Sequence, residues 1–206
     1  MPLKLGVLLS GSGTTLENLF ERIERGKLDA AVTVVVGSKR SAFGLERARK
    51  RGVPAEVVRP KDHDYPAGFS DRITAILDRH EVDLVVLAGF MFLYRVPDRY
   101  AGRVMNVHPA LIPAFCGQGF YGHLVHEAVL ARGAKLTGCT VHFVDNAYDN
   151  GPIILQQAVP VTDDDTPDSL AMRVQAAERE AYPEAIGLYA AGRLVIEGRR
   201  VRIRPA

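Results

Sequence analysis

Asn106, Val107, His108 and Pro109 close an apolar run, and about forty residues later come Asp149, Asn150, Gly151 and Pro152. Side chains alternate faces along a strand, so Asn106 and His108, two apart, point the same way. An amide donor and a titratable imidazole thereby share one small site. A carboxylate arriving from a distant turn completes a set suited to proton transfer and oxyanion stabilisation. Asn106 can donate an uncharged hydrogen bond to a developing oxyanion, and His108 can protonate or polarise the same oxygen. Asp149 can raise the histidine's pKa and relay protons, directly or through water. A histidine alone at a strand end is more often packed or at the surface; its two partners are what point to chemistry. Pro109 and Pro113 hold the segment after His108 extended.

A second constellation is Ser10, Gly11, Ser12, Gly13, Thr14 and Thr15, directly after an apolar strand and directly before a segment with Leu16, Leu19, Phe20 and Ile23 at helical spacing. Glycines let backbone approach a ligand closely, and free amides at the positive end of a helix favour a phosphate. The stretch is neither the full dinucleotide-binding glycine fingerprint nor a P-loop with its lysine. Thr14 with Glu17 also fits a capping box, which makes the competing expectation a capped helix after a tight turn.

These residues need a scaffold, and the hydrophobic pattern supplies one. Strand-like runs at Leu3–Leu9, Ala31–Val36, Ala55–Val58, Asp83–Ala88 and Arg103–His108 alternate with helical segments, one from about Ala42 and one over Phe69–Arg79. The nearly unbroken apolar run at 83–88 is that of a strand covered on both faces in a parallel sheet. The expected fold is α/β, a Rossmann-like, mostly parallel twisted sheet flanked by helices. After His108 come a Gly-rich loop, a short helix near Val125–Arg132 and strands at Thr137–Val144 and Ile153–Val159. Thr166 and Pro167 open the last long helix as cap and first helical residue, Gly192 closes it, and Arg193–Ile203 forms a small terminal hairpin turning near Glu197 and Gly198. The expectation is a single domain over 1–206, with 1–102 the phosphate-binding half and 103–206 the catalytic and folate-binding half.

Composition narrows the function classes. The 206 residues are 47% hydrophobic and 24% charged with a net charge of +2, and no apolar stretch approaches the ~20 residues that span a bilayer. The start, Met1 to Leu5, lacks the apolar core and cleavage site of a secretory signal, so a cytoplasmic protein is expected. The basic residues are dispersed apart from Arg199, Arg200 and Arg202, which read as a solvated strand edge, so neither nucleic acid nor a membrane is an expected partner. Cys116 and Cys139 have no metal-ligand spacing and are expected as free thiols. His123 and His126 lie three apart without a carboxylate pattern, and no metal is expected. His142, within a β run, is expected to be a supporting or packed histidine.

The ordered motifs SGSGTT, LAGFM, NVHPALIPAF, TVHFVD and YDNGPII resemble the glycinamide ribonucleotide formyltransferase family, folate-dependent enzymes of purine synthesis, over nearly the whole chain. The resemblance implies formyl transfer from the co-substrate 10-formyltetrahydrofolate to the amine of 5-phosphoribosylglycinamide, by direct attack without a covalent enzyme intermediate. It implies Asn106, His108 and Asp149 as the catalytic set, and Gly11, Ser12 and Gly13 with Thr14 as the phosphate loop. It implies Met91, Phe92, Leu93 and Tyr94 as a strip along which the pteridine lies, with Asn106 also beside the folate. Glu178 matches a residue that holds the substrate amine, and Gln175, one turn earlier, a phosphate contact; three residues apart, they share a helix face. Its partners are small molecules, and the expected state is monomer or homodimer.

The chain also departs from that pattern. Tyr65, Pro66, Ala67 and Gly68 stand where family members often carry an arginine that touches the folate, Phe92 stands where Arg or Lys is common, and the loop 116–123 is longer than in many members. Two related activities share the core. A 10-formyltetrahydrofolate hydrolase resembles this chain in the same motifs and the long loop, but carries an N-terminal regulatory domain and a second histidine where Pro109 stands. Methionyl-tRNA formyltransferase needs an RNA-binding C-terminal domain. A non-catalytic nucleotide- or folate-binding module is the remaining class, and binding without turnover distinguishes it.

Overall fold

The computed structural model describes residues 1–205. The chain divides into two compact units, Met1–Asn106 and the residues from Val107 onward.

In the first unit, β1 (Leu3–Leu9), β2 (Ala30–Gly37), β3 (Ala55–Val57), β4 (Leu84–Leu87) and the start of β5 (Val104–His108) lie parallel in the order β3-β2-β1-β4-β5. Parallel neighbours require crossovers, and α1 (Thr14–Glu24), α2 (Phe43–Lys50) and α3 (Ala67–Arg79) lie in three of them. All four residues of β4 are buried, as are Val34, Val35 and Val36 of β2, which is why these strands read as continuous apolar runs. A Cβ on Gly6 of β1 would lie 2.5 Å from Leu77 and 2.9 Å from Val82, so the bare backbone there lets the end of α3 pack directly onto the sheet. Strand order reverses between β1 and β4, and ligands of such sheets bind beyond the carboxyl ends of the strands at that point. The loop at 10–13 leaves β1 there and the strip at 88–94 leaves β4.

In the second unit, α4 (His123–Arg132) precedes β6 (Leu136–Phe143) and β7 (Ile153–Pro160), which pair antiparallel from Leu136 with Pro160 to His142 with Ile153. The long helix α5 (Pro167–Ala190) buries Leu170, Val174, Tyr182 and Ile186 and packs on α4, β6 and β7. Thr166 accepts from the Ser169 amide at 3.1 Å while the Ser169 hydroxyl accepts from the Thr166 amide at 3.0 Å, with Pro167 at the first helical position. These contacts satisfy amides that the helix leaves unpaired. Gly192, at φ 65°, follows the helix end, and β8 (Leu194–Glu197) with β9 (Arg200–Ile203) forms the expected antiparallel hairpin. Its arginines do more than face solvent. Arg202 pairs with Glu197 at 2.6 Å and Arg199 donates to the Asn150 carbonyl at 2.9 Å.

One local expectation is corrected. Thr14 is not a cap; it is the first residue of α1, and Gly13, at φ 73°, holds the cap position without a side-chain bond. Glu17 turns away from the helix end because two guanidinium groups, Arg47 at 2.7 Å and Arg51 at 2.6 Å, outcompete it for the carboxylate.

Candidate active site

In the second unit His108, on the last turn of pleat of β5, is only 3% exposed. Its Nε2 lies 2.8 Å from the Phe115 carbonyl and its Nδ1 lies 3.3 Å from Asp149 Oδ2. A carbonyl can only accept, so Nε2 carries the proton. In the neutral ring Nδ1 then presents a lone pair to the carboxylate, and a proton delivered to Nδ1 converts that contact into a charge-assisted hydrogen bond. Burial is the largest influence on the ring and holds it below its ordinary pKa, against Asp149 and the Phe115 carbonyl, which favour charge. The pair is thus a neutral proton acceptor whose partner strengthens once the proton arrives.

Two further groups lie against the Asp149 carboxylate. The Gly117 amide donates to Oδ2 at 2.9 Å, and His142 Nε2 lies 3.7 Å from Oδ1. Burial pushes the carboxyl up, but the neighbouring His142, His108 and the Gly117 amide outweigh it and keep Asp149 below the usual carboxylate range. The turn that presents it is locally determined. Asp149 sits at φ 49°, a left-handed conformation that Asp tolerates better than most residues. A Cβ on Gly151 would fall 1.8 Å from the Phe143 carbonyl, so only glycine lets the chain pass. Asn150 closes the loop by donating to Asp145 at 2.7 Å. His142 reaches the site because β6 shifts register between Val141 and His142, and its Nδ1 donates to the Phe143 carbonyl at 2.8 Å.

The supporting role expected of His142 is therefore a direct contact with the carboxylate. The main-chain groups of Phe115 and Gly117 were not expected. No side-chain pattern announces them, although the positive φ of Phe115 (50°) and Gly117 (95°) shows how tightly the segment turns. Upstream, Thr140 Oγ1 donates to the Ala110 carbonyl at 2.7 Å and accepts from the Ile112 amide at 3.1 Å, fastening the chain after Pro109 to β6.

On α5, Gln175 is exposed and Glu178 is partly buried. Burial alone pushes the Glu178 carboxyl up to about 7. It is also close enough to the buried Cys139 thiol to help burial raise that group to about 12. Both cysteines are free thiols. His123 pairs with Asp168 at 2.5 Å and His126 is buried beside it. Among the described residues no group of three or more His, Cys, Asp or Glu side chains is arranged to hold a metal ion, and no helix is long and apolar enough to cross a membrane.

In the first unit the loop after β1 turns its carbonyls inward. Gly11 O accepts from the Gly44 amide at 3.2 Å, Ser12 O from Arg47 Nε at 3.0 Å, and Gly13 O from the Glu17 amide at 2.9 Å. A trans peptide points its carbonyl and the next amide in opposite directions. The amides of Ser12 and Gly13 therefore face away from α2, and the Thr14 amide points outward from the N-terminus of α1, in an arrangement that suits an anion.

The strip after β4 is anchored from behind. The Met91 amide donates to Ser10 Oγ at 3.0 Å, and that hydroxyl also bonds Ser38 Oγ at 2.7 Å. The Leu93 amide donates to the Tyr65 hydroxyl at 3.1 Å, so a tyrosine organises the strip where an arginine is common. Phe92 meets Tyr65, Phe69 and Phe90 edge-on with ring centroids 6.0–6.2 Å apart, an aromatic cluster in place of a cation. Tyr94 is buried and shares a hydrogen bond with Thr74 at 2.8 Å. It anchors the strip, while Met91 is exposed at its surface.

The formyl transferase family matches residues 3–186. Among solved structures, glycinamide ribonucleotide transformylase 1 from Symbiobacterium toebii is 45% identical with a TM-score of 0.92, covering 99% of this chain and 95% of that one. Phosphoribosylglycinamide formyltransferase from Coxiella burnetii is 34% identical with a TM-score of 0.90, covering 98% and 94%. A chloroplastic phosphoribosylglycinamide formyltransferase from Vigna unguiculata is 40% identical over 93% of this chain, which spans 62% of that curated relative's length. With the family match running through both units and solved relatives aligned over almost their full length, the chain belongs to the formyl transferase family, in its phosphoribosylglycinamide formyltransferase group.

Proposed function

We propose that this chain transfers the formyl group of 10-formyltetrahydrofolate to the amine of 5-phosphoribosylglycinamide, in de novo purine biosynthesis. The observation that carries the proposal is the Asp149 carboxylate held between two imidazoles, His108 at 3.3 Å and His142 at 3.7 Å, each anchored through its other nitrogen to a backbone carbonyl. That arrangement moves protons without forming a bond to substrate. The likeness to the Symbiobacterium toebii transformylase supports the substrate assignment.

In this mechanism the neutral amine attacks the formyl carbon, and the carbonyl π electrons move onto oxygen. Asn106, on the same strand face as His108, donates to that oxyanion, and His108 donates from Nε2 once the Phe115 carbonyl yields it. The ammonium nitrogen formed by attack loses its proton to the Asp149 pair, through an ordered water, and the same proton passes to the folate nitrogen as its bond to the formyl carbon breaks. Positioning and electrostatics supply the acceleration, so the reaction calls for no metal. Gly11, Ser12, Gly13 and Thr14 bind the substrate phosphate with Gln175, Glu178 holds the amine, and Met91, Phe92, Leu93, Tyr94 and Asn106 line the folate. The chain acts as one domain on small molecules, without nucleic acid or membrane, as a monomer or homodimer in the cytoplasm.

The decisive assay mixes the protein with 10-formyltetrahydrofolate, with and without the phosphoribosylglycinamide, and follows folate deformylation. The proposal requires deformylation that depends on the amine and yields formylated amine. Formate release without the amine would indicate a hydrolase, and binding without turnover a folate-binding module.

A further inference from the structure

Of the three peptides in the loop after β1, two are fixed by main chain: Gly11 O by the Gly44 amide and Gly13 O by the Glu17 amide. The Ser12–Gly13 peptide between them is held by a side chain. Arg47 Nε donates to Ser12 O at 3.0 Å, and the same guanidinium donates through Nη1 to Glu17 Oε2 at 2.7 Å. Arg51 takes the other oxygen of Glu17 at 2.6 Å and is itself fixed by Glu24 at 2.8 Å. Burial opposes charge on Glu17, yet the two arginines keep its carboxyl below the ordinary range. The Phe43 ring lies 5.0 Å from the Arg47 guanidinium carbon. Close approach makes the clamp possible: a Cβ on Gly13 would lie 2.5 Å from the Gly44 Cα.

We propose that Arg47 is a positioning residue that turns the Gly13 amide toward the substrate phosphate and so sets the enzyme's preference for a phosphorylated amine. The proposal rests on the phosphate-loop assignment made above. Arg47 spends Nε and Nη1 on the loop and on Glu17, so its contribution is the orientation of a peptide dipole rather than a point charge. Only a planar fork holds both acceptors at once, and lysine cannot reproduce it.

The test is steady-state kinetics of Arg47→Ala and Arg47→Lys, with Arg49→Ala as a control on the same helix. The expected result for Arg47→Ala is a KM for the phosphorylated amine raised about tenfold, the size of one charge-assisted hydrogen bond. Its kcat should stay within about twofold and its KM for 10-formyltetrahydrofolate should not move, since only ground-state phosphate binding is lost. Inhibition by inorganic phosphate should weaken by a similar factor, and Arg47→Lys should recover only part of either loss. Unchanged KM and phosphate inhibition in Arg47→Ala overturn the proposal. So does full recovery in Arg47→Lys, which would make the effect one of charge, and so does a parallel loss of kcat and both KM values with a lowered Tm in both variants. Failure of the phosphate-loop assignment shows separately, as a wild-type enzyme that treats the phosphorylated and dephosphorylated amines alike, and the role of Arg47 falls with it.

Discussion

Replacing Glu178 with glutamine should stabilise the protein, and more so as pH rises. Burial raises the Glu178 carboxyl from 4.5 to about 7, a shift worth ~3 kcal/mol at ~1.4 kcal/mol per unit. The folded state therefore holds this proton between the two values while the unfolded chain has released it, and stability falls as pH rises from about 4.5 toward 7. Above both values the full cost of ionising the partly buried carboxyl is present. Linkage gives a cost of ~3 kcal/mol at about pH 8 and under ~1 kcal/mol at about pH 5. The variant keeps a polar amide in the same place, so its desolvation is common to both conditions and cancels in the difference. Glu178→Gln should thus gain ~2–3 kcal/mol more at about pH 8 than at about pH 5, a difference of roughly 5–10 °C in Tm for a chain of this size. Thermal unfolding followed by circular dichroism at the two pH values reads it directly. An equal Tm change at both, or destabilisation at about pH 8, would mean that burial does not hold the Glu178 proton. The same substitution should weaken catalysis, since the carboxylate that costs stability is the one proposed to hold the substrate amine.

Gly151→Ala should destabilise the protein by ~2–3 kcal/mol in urea titrations and lower activity as well, because its methyl group would displace the Phe143 carbonyl and the Asp149 turn with it; wild-type stability would contradict this packing. His142→Asn removes the imidazole that opposes burial at Asp149, so the acid limb of kcat/KM against pH should move upward, whereas an unmoved limb means that His142 does not bear on the carboxylate. Burial also holds His126 below 6.5. The unfolded chain then binds a proton that the folded state refuses, and stability drops as pH falls through about 6.5. His126→Gln should lose less stability than wild type between about pH 7 and pH 5 in urea midpoints, and an equal loss in both would count against it.

The strands and helices were legible because their apolar periods are strong: the unbroken run of β4 and the Thr166-Pro167 start of α5 both appear where the pattern puts them. His108 falls at the end of β5, where the apolar run before it ends. What the pattern did not carry is the main chain. The carbonyl of Phe115 and the amide of Gly117 reach His108 and Asp149 through positive-φ turns, and any sequence able to make those turns would serve. Thr14 and Glu17 matched a cap, but the match is local and Arg47 and Arg51 are not. Their contest for Glu17 is settled by tertiary packing of α2 against α1. The supporting contact of His142 with Asp149 depends on a register shift in β6, which alternating residues do not reveal.

His108 and Asp149 are proposed to carry the proton and charge movements of formyl transfer. The most direct test of that role is kcat at saturating concentrations of both substrates for His108→Ala and Asp149→Ala, with circular dichroism confirming the fold. Turnover should fall at least ~10²-fold in each, the usual loss for a general acid-base or oxyanion group. Near-normal turnover in either variant would contradict the account.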